Sequence, residues 1–379
     1  MRAVTEAAGS SALSGRLVSL DVFRGATVAA MILVNNPGDW GHVYWPLLHA
    51  PWHGWTPTDL IFPFFLFIVG VSLTFSKRLG FREALSRSLK LIGLGLFLAL
   101  YPYFDVAGLR WPGVLQRIGV CYLTAWAARR WLGPRGQAVL AAVLLVGYWG
   151  LMTRATGPEG HPPGLAVETN LAAQLDRMLL VPHVWSVTKT WDPEGVLSTF
   201  PAIATTLLGL LVGEWLLGRS RRSPFHTTLG LLVGGLVLTA AGVAWGELAP
   251  SWLLFPINKA LWTSSYVLLS GGLAAALLGV SYLVVDVAGW RRWAGPFVGY
   301  GRNAIAVFVA SGLLADTLSA VRWPAADSTV LSLHKHLYGA FPASILPRYA
   351  ASLAWALMMV LLFYLMATWM DRRGMYLKV

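Results

Sequence analysis

Residues 35–65 read NNPGDWGHVYWPLLHAPWHGWTPTDLIFPFF, and they separate two apolar segments that are each long enough to cross a lipid bilayer. The stretch holds three histidines, two aspartates and several tryptophans. A loop that only reconnects two membrane helices needs none of these side chains, and titratable groups are costly to hold beside a bilayer. We therefore interpret this loop as the reacting face of a membrane protein, with His49 at its centre.

The composition of the whole chain supports the same class of protein. The 379 residues are 56% hydrophobic and 12% charged, with a mean hydropathy of +0.60, whereas soluble domains average about 25% charged residues. These values predict an all-α polytopic integral membrane protein. The net charge is +12, but Lys and Arg occur in short clusters between apolar runs, which argues against a nucleic-acid partner and for contact with the lipid bilayer. The single cysteine, Cys121, excludes an intramolecular disulfide.

Ten apolar segments have the length of a membrane span. The first one contains Asp21 and Arg24 and shows no cleavage pattern behind it, so we expect a retained helix and not a removed signal peptide. The sequence thus predicts about ten transmembrane helices, at approximately 17–37, 57–76, 84–101, 113–131, 137–153, 195–217, 227–246, 258–285, 296–315 and 348–370.

Lys and Arg are unevenly distributed over the connections between these segments. The connections on the side of the N-terminus carry 18 of them, and the connections on the opposite side carry 8. Because positive residues concentrate on the cytoplasmic side of a membrane, we predict that both termini are cytoplasmic. The His49 loop is then extracytoplasmic.

We expect a single domain, because no boundary or strong internal repeat interrupts the chain. In the second outer loop, Asn170 precedes Leu171, Leu175 and Met178 at helical spacing, which predicts a short interfacial helix. The third outer loop fits a lid or a plain connector equally well. The predicted parts are a cytoplasmic tail at 1–16, a transmembrane domain at 17–370 with outer loops at 38–56, 154–194 and 316–347, and a cytoplasmic tail at 371–379.

Polar residues gather at the two faces of the predicted bundle. Four predicted helices open with polar pairs at the outer face, and with the His49 loop they are expected to surround one cavity that favours anionic or electron-rich groups. These pairs are Thr58-Asp59, Gln116-Arg117, Asp192-Pro-Glu194 and Asn258-Lys259. A smaller set near the cytoplasmic face comprises Asp21, Arg24, Arg302 and Asn303. We infer one site that reaches both faces.

Several of these blocks, in this order, resemble the catalytic domain of the heparan-α-glucosaminide N-acetyltransferase family. The resemblance covers nearly the whole chain from about residue 16. The blocks are Leu20-Asp21-Val-Phe-Arg24-Gly25, Val34-Asn35, His49-Ala50-x-Trp52-x-Gly54-x-Thr56-x-x-Asp59-Leu60-x-Phe62-Pro63, Gly113-Val-Leu-Gln-Arg117-Ile-Gly119, Asp192-Pro-Glu-Gly195, Pro256-x-Asn258-Lys259-x-Leu-Trp262 and Gly301-x-Asn303.

The resemblance implies a transmembrane acetyltransferase. Its members use cytosolic acetyl-CoA to acetylate the amine of a terminal glucosamine on the far side of the membrane, and the family's catalytic histidine matches His49. Its asparagine and aspartate match Asn35 and Asp59. The resemblance also suggests a homodimer. We expect a bacterial inner-membrane protein, and its acceptor stays open between a heparan-like polymer, a free amino sugar and a cell-envelope glycan.

The chemistry of the residues is consistent with this expectation. An amine must lose a proton before it attacks a thioester, and an imidazole suits that task near neutral pH. His49 is a candidate base or acetyl carrier, Asp59 a candidate to orient its ring, and Asn35 a candidate donor to the thioester oxygen. We expect Arg24, Arg302, Asn303 and Arg117 to bind acetyl-CoA. We expect Trp52, Gln116, Asp192, Glu194, Asn258 and Lys259 to contact the acceptor. The three histidines lack a zinc spacing, so no metal is expected.

Each of these residues also has a structural interpretation. Asp59 is suited to cap its helix, and Arg117 or Lys259 to snorkel or to pair with Asp192 and Glu194. Arg24 is suited to an ion pair with Asp21, and His42 and His53 to structural roles. Two other functions also stay open. A permease for amino sugars would explain the polar cavity, although the sequence shows neither broken helices nor matched halves. A membrane O-acyltransferase would transfer the acetyl group to a hydroxyl.

Overall fold

A computed structural model describes residues 17–76, 80–324 and 330–377. These residues form an almost entirely helical protein with one short antiparallel ribbon, so the predicted all-α class is confirmed. The predicted tail at 1–16 lies outside the described residues, as do Lys77, Arg78 and Lys378 from the charge comparison.

The helices are numbered here in chain order. They are α1 (Val18–Asn35), α2 (Ile61–Phe75), α3 (Phe81–Leu100), α4 (Val114–Trp131), α5 (Pro134–Arg154), α6 (Leu171–Leu179), α7 (Thr199–Leu217), α8 (Pro224–Val243), α9 (Ser264–Ser281), α10 (Gly295–Arg302), α11 (Ala304–Ala320), α12 (Leu333–Ala340) and α13 (Arg348–Arg372). The ribbon pairs β1 (Arg322–Pro324) with β2 (Val330–Ser332). A 3-10 turn at Pro57–Leu60 leads into α2, and π-helical turns at Ala244–Leu248 and Tyr282–Val287 extend α8 and α9.

A helix occurs at each of the ten predicted spans, but fewer of these helices qualify as spans. Among the described residues, seven helices are long and apolar enough to cross a membrane, and α10 with α11 would make an eighth if the pair is one span. Helices α3 and α4 are absent from this set. The reason is charge: α3 carries Arg82, Glu83, Arg87 and Lys90. The prediction of about ten spans is therefore higher than the seven or eight that length and composition support.

The segment predicted as one span at 296–315 is broken. Helices α10 and α11 are bent by 80° relative to each other, and the break lies at Asn303. The side-chain Nδ2 atom of Asn303 donates to the carbonyl oxygens of Gly299 (3.3 Å) and Ala367 (3.4 Å). This side chain therefore competes with backbone amides for a helical carbonyl oxygen. Glycines at 299 and 301 weaken the helix before it. The expectation that the chain has no broken helix was wrong.

Helices α2 and α7 cross at the centre of the bundle with almost no space between their backbones. A Cβ atom on Gly70 would lie 2.0 Å from the carbonyl oxygen of Thr206, and one on Gly209 would lie 2.0 Å from that of Phe67. Small residues allow such close crossings inside membranes, where van der Waals packing drives helix association. Because α2 starts after the His49 loop and α7 starts after Asp192-Pro-Glu194, this crossing fixes how those two segments face each other.

The predicted short helix in the second outer loop is present as α6. Asn170 caps it, with Oδ1 accepting a hydrogen bond from the Ala173 amide at 3.0 Å. The buried face of α6 includes Ala173 and Asp176, while Met178 faces outward with 63% of its surface exposed. Helix α6 thus presents a carboxylate to the interior beside Leu171 and Leu175, which pack against a buried apolar cluster.

Candidate active site

His49 lies in the loop before α2 with half of its side chain exposed, and its ring is bonded to a buried carboxylate. The distance from Nδ1 of His49 to Oδ1 of Asp59 is 2.6 Å, and Asp59 is only 1% exposed. The other oxygen of Asp59 accepts from the backbone amides of Ala50 (3.0 Å) and Thr56 (2.9 Å). Asp59 therefore caps the turn at Pro57–Leu60 and binds His49 at once, so both interpretations of this residue apply.

These contacts determine which nitrogen of His49 can react. Carboxylate oxygens only accept hydrogen bonds, so Nδ1 of His49 carries the proton and donates it to Asp59. The second nitrogen, Nε2, then keeps its lone pair. A buried carboxylate behind an exposed imidazole is an arrangement that can orient a base or a nucleophile.

Lys259 reaches the same imidazole from the loop before α9. Its Nζ atom lies 3.2 Å from both ring nitrogens of His49 and 3.9 Å from Oδ1 of Asp59. Burial lowers the pKa of the Lys259 ammonium, and the charges of Asp59 and Glu194 act in the opposite direction. Of the two ring nitrogens, only Nε2 can accept a hydrogen bond from Lys259.

Asn258 holds the loop that carries Lys259. Its Oδ1 accepts from the Leu261 amide at 2.8 Å, and its backbone amide donates to Thr263 Oγ1 at 3.0 Å. The Nδ2 atom of Asn258 lies 3.3 Å from Nδ1 of His53, and burial lowers the pKa of His53. Asn258 thus joins this loop to the His49 loop.

Asp192 and Glu194 form a second charged cluster, and their partner is Arg110. The guanidinium of Arg110 donates to both oxygens of Asp192, at 2.7 and 2.6 Å, and to Glu194 at 2.5 Å. Asp192 is 2% exposed. Burial alone would lower the pKa of Arg110, but its hydrogen bonds and charge interactions with Asp192 and Glu194 raise that pKa above its ordinary value. This bidentate pair anchors the loop before α7 to the loop before α4.

Arg117 lies at this same end of the bundle and not with Arg24 and Arg302. Its Nη2 atom donates to Ser198 Oγ at 2.5 Å and to the Gly195 carbonyl at 3.2 Å, and its guanidinium lies 5.2 Å from the centre of the Trp262 ring. The side chain is 2% exposed, and within the described residues its Nε and Nη1 atoms have no hydrogen-bond partner.

Asp176 supports the second cluster from α6. Its two oxygens accept from the backbone amides of Asp192 and Val196, each at 3.1 Å. Burial, reinforced by the charge of Asp192, raises the pKa of Asp176 to about 6, although both hydrogen bonds oppose that shift. Asp176 is therefore poised to change its charge just below neutral pH.

Three other predicted residues lie outside these two charged clusters. Trp52 donates from Nε1 to the Leu165 carbonyl at 3.0 Å, and its ring lies 5.6 Å from that of Trp191. Gln116 is buried in the first turn of α4. Asn35 is exposed at the end of α1, and among the described residues its side chain makes no hydrogen bond to His49.

The second predicted polar set gathers around the start of α1 and the break after α10. Arg24 donates to Asp21 (3.0 Å), to the Gly301 carbonyl (3.3 Å) and to Ser72 Oγ (2.7 Å). Ser72 lies 13 residues after Asp59, so this set is separated from His49 by about 20 Å along α2. Arg302 donates to Asp371 at 3.0 Å.

Asp21, Arg24, Arg302 and Asn303 are here called the inner polar set. Within it, Asn303 has hydrogen-bonding capacity that its contacts leave unused. Its Oδ1 atom is buried and has no partner in the described part of the chain. Within that part, no three His, Cys, Asp or Glu side chains are grouped so that they could hold a metal ion.

Sequence reasoning missed three residues that organise the site. They are Arg110, Asp176 and Tyr266, whose hydroxyl donates to the Asp59 carbonyl at 2.5 Å. Arg110 stands three residues before Gly113, at the edge of a recognised block, and this position was the available signal. Nothing local in the sequence marks Asp176 or Tyr266.

The sequence of this chain is similar to a family model and to two known mammalian proteins. A family model described as "Heparan-alpha-glucosaminide N-acetyltransferase, catalytic" matches residues 16–240. The heparan-alpha-glucosaminide N-acetyltransferase of Homo sapiens is 30% identical over 361 residues, which cover 79% of this chain and 53% of the human protein. That of Mus musculus is 29% identical over 383 residues, covering 83% and 56%. The chain spans about half the length of these relatives.

Proposed function

Because the chain belongs to the heparan-α-glucosaminide N-acetyltransferase family, we propose that it transfers an acetyl group from acetyl-CoA to the amine of a glucosamine-type sugar. The observation that carries this proposal is the bond between His49 and Asp59, which leaves the lone pair of the ring on Nε2, 3.2 Å from Nζ of Lys259. A half-exposed imidazole backed by a buried carboxylate suits proton transfer from an amine.

In the proposed reaction, His49 acts as the base. Its Nε2 atom takes a proton from the acceptor nitrogen while that nitrogen forms a bond to the thioester carbonyl carbon. The carbon–sulfur bond then breaks, and the imidazolium returns the proton to the leaving thiolate. Asp59 holds the Nδ1 proton and offsets the positive charge that develops on the ring. In the alternative, Nε2 attacks the thioester first and carries the acetyl group itself.

Lys259 is placed to stabilise negative charge in this reaction. Its ammonium lies 3.2 Å from Nε2 of His49, so an acyl carbon at that nitrogen would have its oxygen within reach of Nζ. We propose that Lys259 donates to the thioester oxygen, a role that the sequence had suggested for Asn35. The cluster of Arg110, Asp192 and Glu194, together with Trp52, would contact the acceptor sugar.

The inner polar set is the proposed binding region for the donor. Arg24 and Arg302 pair with Asp21 and Asp371 in the structure, and their guanidinium groups are of the kind that binds the phosphates of CoA. The buried Oδ1 of Asn303 is able to accept from an amide or amino group of CoA. A chain that enters here and extends about 20 Å along α2 would bring its thioester to His49.

Sidedness and cellular location complete the proposal. We propose that acetyl-CoA is bound from the cytosol, that the acceptor is bound on the opposite face, and that both termini are cytoplasmic. The membrane would be a bacterial inner membrane, with residues 17–370 as one transmembrane domain that pairs as a homodimer. The uneven distribution of Lys and Arg supports this orientation.

The test compares two histidines in the same loop. His49→Gln should lower the rate of N-acetylglucosamine formation from acetyl-CoA and glucosamine by about a hundredfold or more, since general-base catalysis contributes roughly 10² to 10⁴. His42 is the matched control: it bonds to Asp39 at 2.6 Å, but within a local surface pair. His42→Gln should keep near-normal activity. Product is measured by mass spectrometry with purified protein.

Two results of this experiment discriminate further. A burst of CoA equal to the amount of enzyme before any amine is added, present in the wild type and absent from His49→Gln, would identify His49 as the acetyl carrier and not as a base. Near-normal acetylation by His49→Gln would contradict the proposed centre of the site.

A permease remains the second candidate, because the break between α10 and α11 is a feature of many transporters. This function predicts uptake of labelled glucosamine into sealed vesicles without acetyl-CoA. Vesicles that take up no sugar but acetylate it in the presence of acetyl-CoA would exclude transport as the function.

A further inference from the structure

A groove lies between the end of α7 and the start of α8, far along the chain from the proposed reacting residues. Arg221, Arg222 and His226 line one part of it, and Trp215 and Val233 line another. The first three residues are exposed. The groove therefore combines a cationic end with an apolar wall.

Among the residues that the structure describes, neither Arg221 nor Arg222 forms an ion pair with an acid. The sequence from 215 to 246 contains three arginines and no Asp or Glu. Arg222 lies over the Trp215 ring, with its guanidinium carbon 3.8 Å from the ring centre, and donates to the Trp215 carbonyl at 2.9 Å. This stacking holds its planar fork in position. In the described part of the chain, the Arg221 side chain makes no hydrogen bond or ion pair, so its five N–H donors are available.

The apolar wall continues along the face of α8 that points away from the bundle. Leu229, Val233, Leu236 and Val237 follow one another at helical spacing, and all four are exposed. Helix α8 is the least buried of the seven candidate spans among the described residues. On a membrane-spanning helix, such a stripe faces the acyl chains of the lipid. It begins at Leu229, seven residues or about two turns beyond Arg222.

Gly230 gives the groove its shape. A Cβ atom at this position would lie only 2.4 Å from Cζ2 of Trp215, so the indole packs directly on the α8 backbone. The Trp215 ring consequently forms a wall of the groove beside Arg222, and Val233 lines the groove as well.

We propose that this groove binds an anionic phospholipid. Arg221 and Arg222 hold the phosphate of the headgroup, and an acyl chain lies along Leu229 and Val233. A soluble phosphate would need only the arginines, whereas the adjoining apolar stripe matches a molecule that joins phosphate to hydrocarbon. The proposal is independent of the acetyltransferase function.

The experiment measures phosphatidylglycerol retained on the purified full-length protein by native mass spectrometry. Arg221→Gln with Arg222→Gln should weaken binding of one phosphatidylglycerol by about tenfold or more, because charge-assisted contacts to phosphate are lost. The matched control is Arg372→Gln with Arg373→Gln. That pair removes the same charge, and Arg373 also lies over a tryptophan, at 5.8 Å from the Trp369 ring. The control should bind phosphatidylglycerol as the wild type does.

Two further binding measurements distinguish a phospholipid from a soluble phosphate compound as the ligand. Phosphatidylcholine with the same acyl chains should bind at least tenfold more weakly, and millimolar glycerol phosphate should not displace phosphatidylglycerol. Displacement by glycerol phosphate would overturn the proposal in favour of a soluble phosphate site. Equal loss of lipid in both double variants would also overturn it, because the effect would then be nonspecific. Arg221→Gln alone serves as a second variant, since removing an unpaired side chain leaves the fold intact.

Discussion

At the scale of single residues, Asp59 performs two tasks with one carboxyl group. One oxygen binds the ring of His49, and the other accepts from the amides of Ala50 and Thr56. Asparagine has the same shape but offers only one accepting oxygen. We therefore expect Asp59→Asn to lower kcat by roughly 10² to 10⁴ through loss of ring orientation, with a smaller change in the KM for the acceptor.

The measurement for Asp59 uses Asp39→Asn as its control. Asp39 also accepts from a loop histidine, His42, at 2.6 Å, and its burial is much lower. Steady-state kinetics of both variants should separate them by at least tenfold in kcat. Equal kcat values would show that the bond between Asp59 and His49 is only structural.

Asp176 predicts a dependence of stability on pH. Its pKa in the folded protein is about 6, above the ordinary value of 3.8. Between these values the folded protein binds more protons at this carboxyl than the unfolded chain does, so the free energy of unfolding falls as pH rises through this window. Asp176→Asn does not titrate. The substitution should therefore cost more at pH 5 than at pH 7, by on the order of 1 kcal/mol.

Thermal unfolding of both proteins in detergent at the two pH values measures this difference. The comparison cancels all groups that titrate equally in the two proteins. A cost that is larger at pH 7 would mean that Asp176 is stabilised as a carboxylate by its two amide hydrogen bonds.

Recognition of the site residues from sequence depended on their position in blocks. His49, Asp59, Asn258 and Lys259 belong to recognised blocks, and the structure brings them together. Arg110 and Asp176 act on Asp192 from outside those blocks, across 82 and 16 residues of chain. Their contact depends on the packing of α6 against α5 and of α7 against α4, which no local pattern encodes.

At the scale of helices, the crossing of α2 and α7 carries a testable cost. A Cβ atom on Gly70 would meet the Thr206 carbonyl at 2.0 Å, so Gly70→Ala must push two backbones apart. We expect a loss of about 1–3 kcal/mol in stability, as for overpacked cores, together with reduced activity because both charged clusters move.

Gly147→Ala is the matched control for the crossing. This glycine lies inside α5, and its added methyl group would meet nothing within 4 Å. The control should leave the unfolding temperature unchanged or slightly raised. If both variants unfold at the wild-type temperature, the backbones of α2 and α7 are not in close contact.

The positions of the helices were easier to predict from the sequence than whether each segment forms one unbroken helix. Apolar length located all ten segments, because a run of about 20 apolar residues is visible in the sequence itself. The break at Asn303 was missed, since it depends on a hydrogen bond to Ala367 on α13, 64 residues further along the chain. The apolarity of α3 was overestimated because its charged residues lie in its first half.

At the scale of the whole molecule, the orientation in the membrane is the most direct prediction. A cysteine at Gly41 should react with an impermeant thiol reagent added outside intact spheroplasts, and one at Ser220 should not. Both positions are exposed, and the loop at 38–56 contains no Lys or Arg. The wild-type background should stay dark, because Cys121, the single cysteine, is fully buried. Labelling at Ser220 alone would invert the proposed direction of acetyl transfer.

The unequal exposure of His49 and Asp59 bears on the side of the membrane where the reaction releases a proton. The carboxylate is sealed from solvent while half of the imidazole is open, so an ammonium acceptor would approach from the exposed side and lose its first proton to the solvent there, whereas the second proton passes through the ring to the thiolate. Acetylation converts a protonated amine into a neutral amide and must discharge acid. In the proposed orientation, that acid enters the compartment that supplies the sugar. Each turnover would then slightly acidify the space outside the cell membrane, and an existing proton gradient would oppose the reaction.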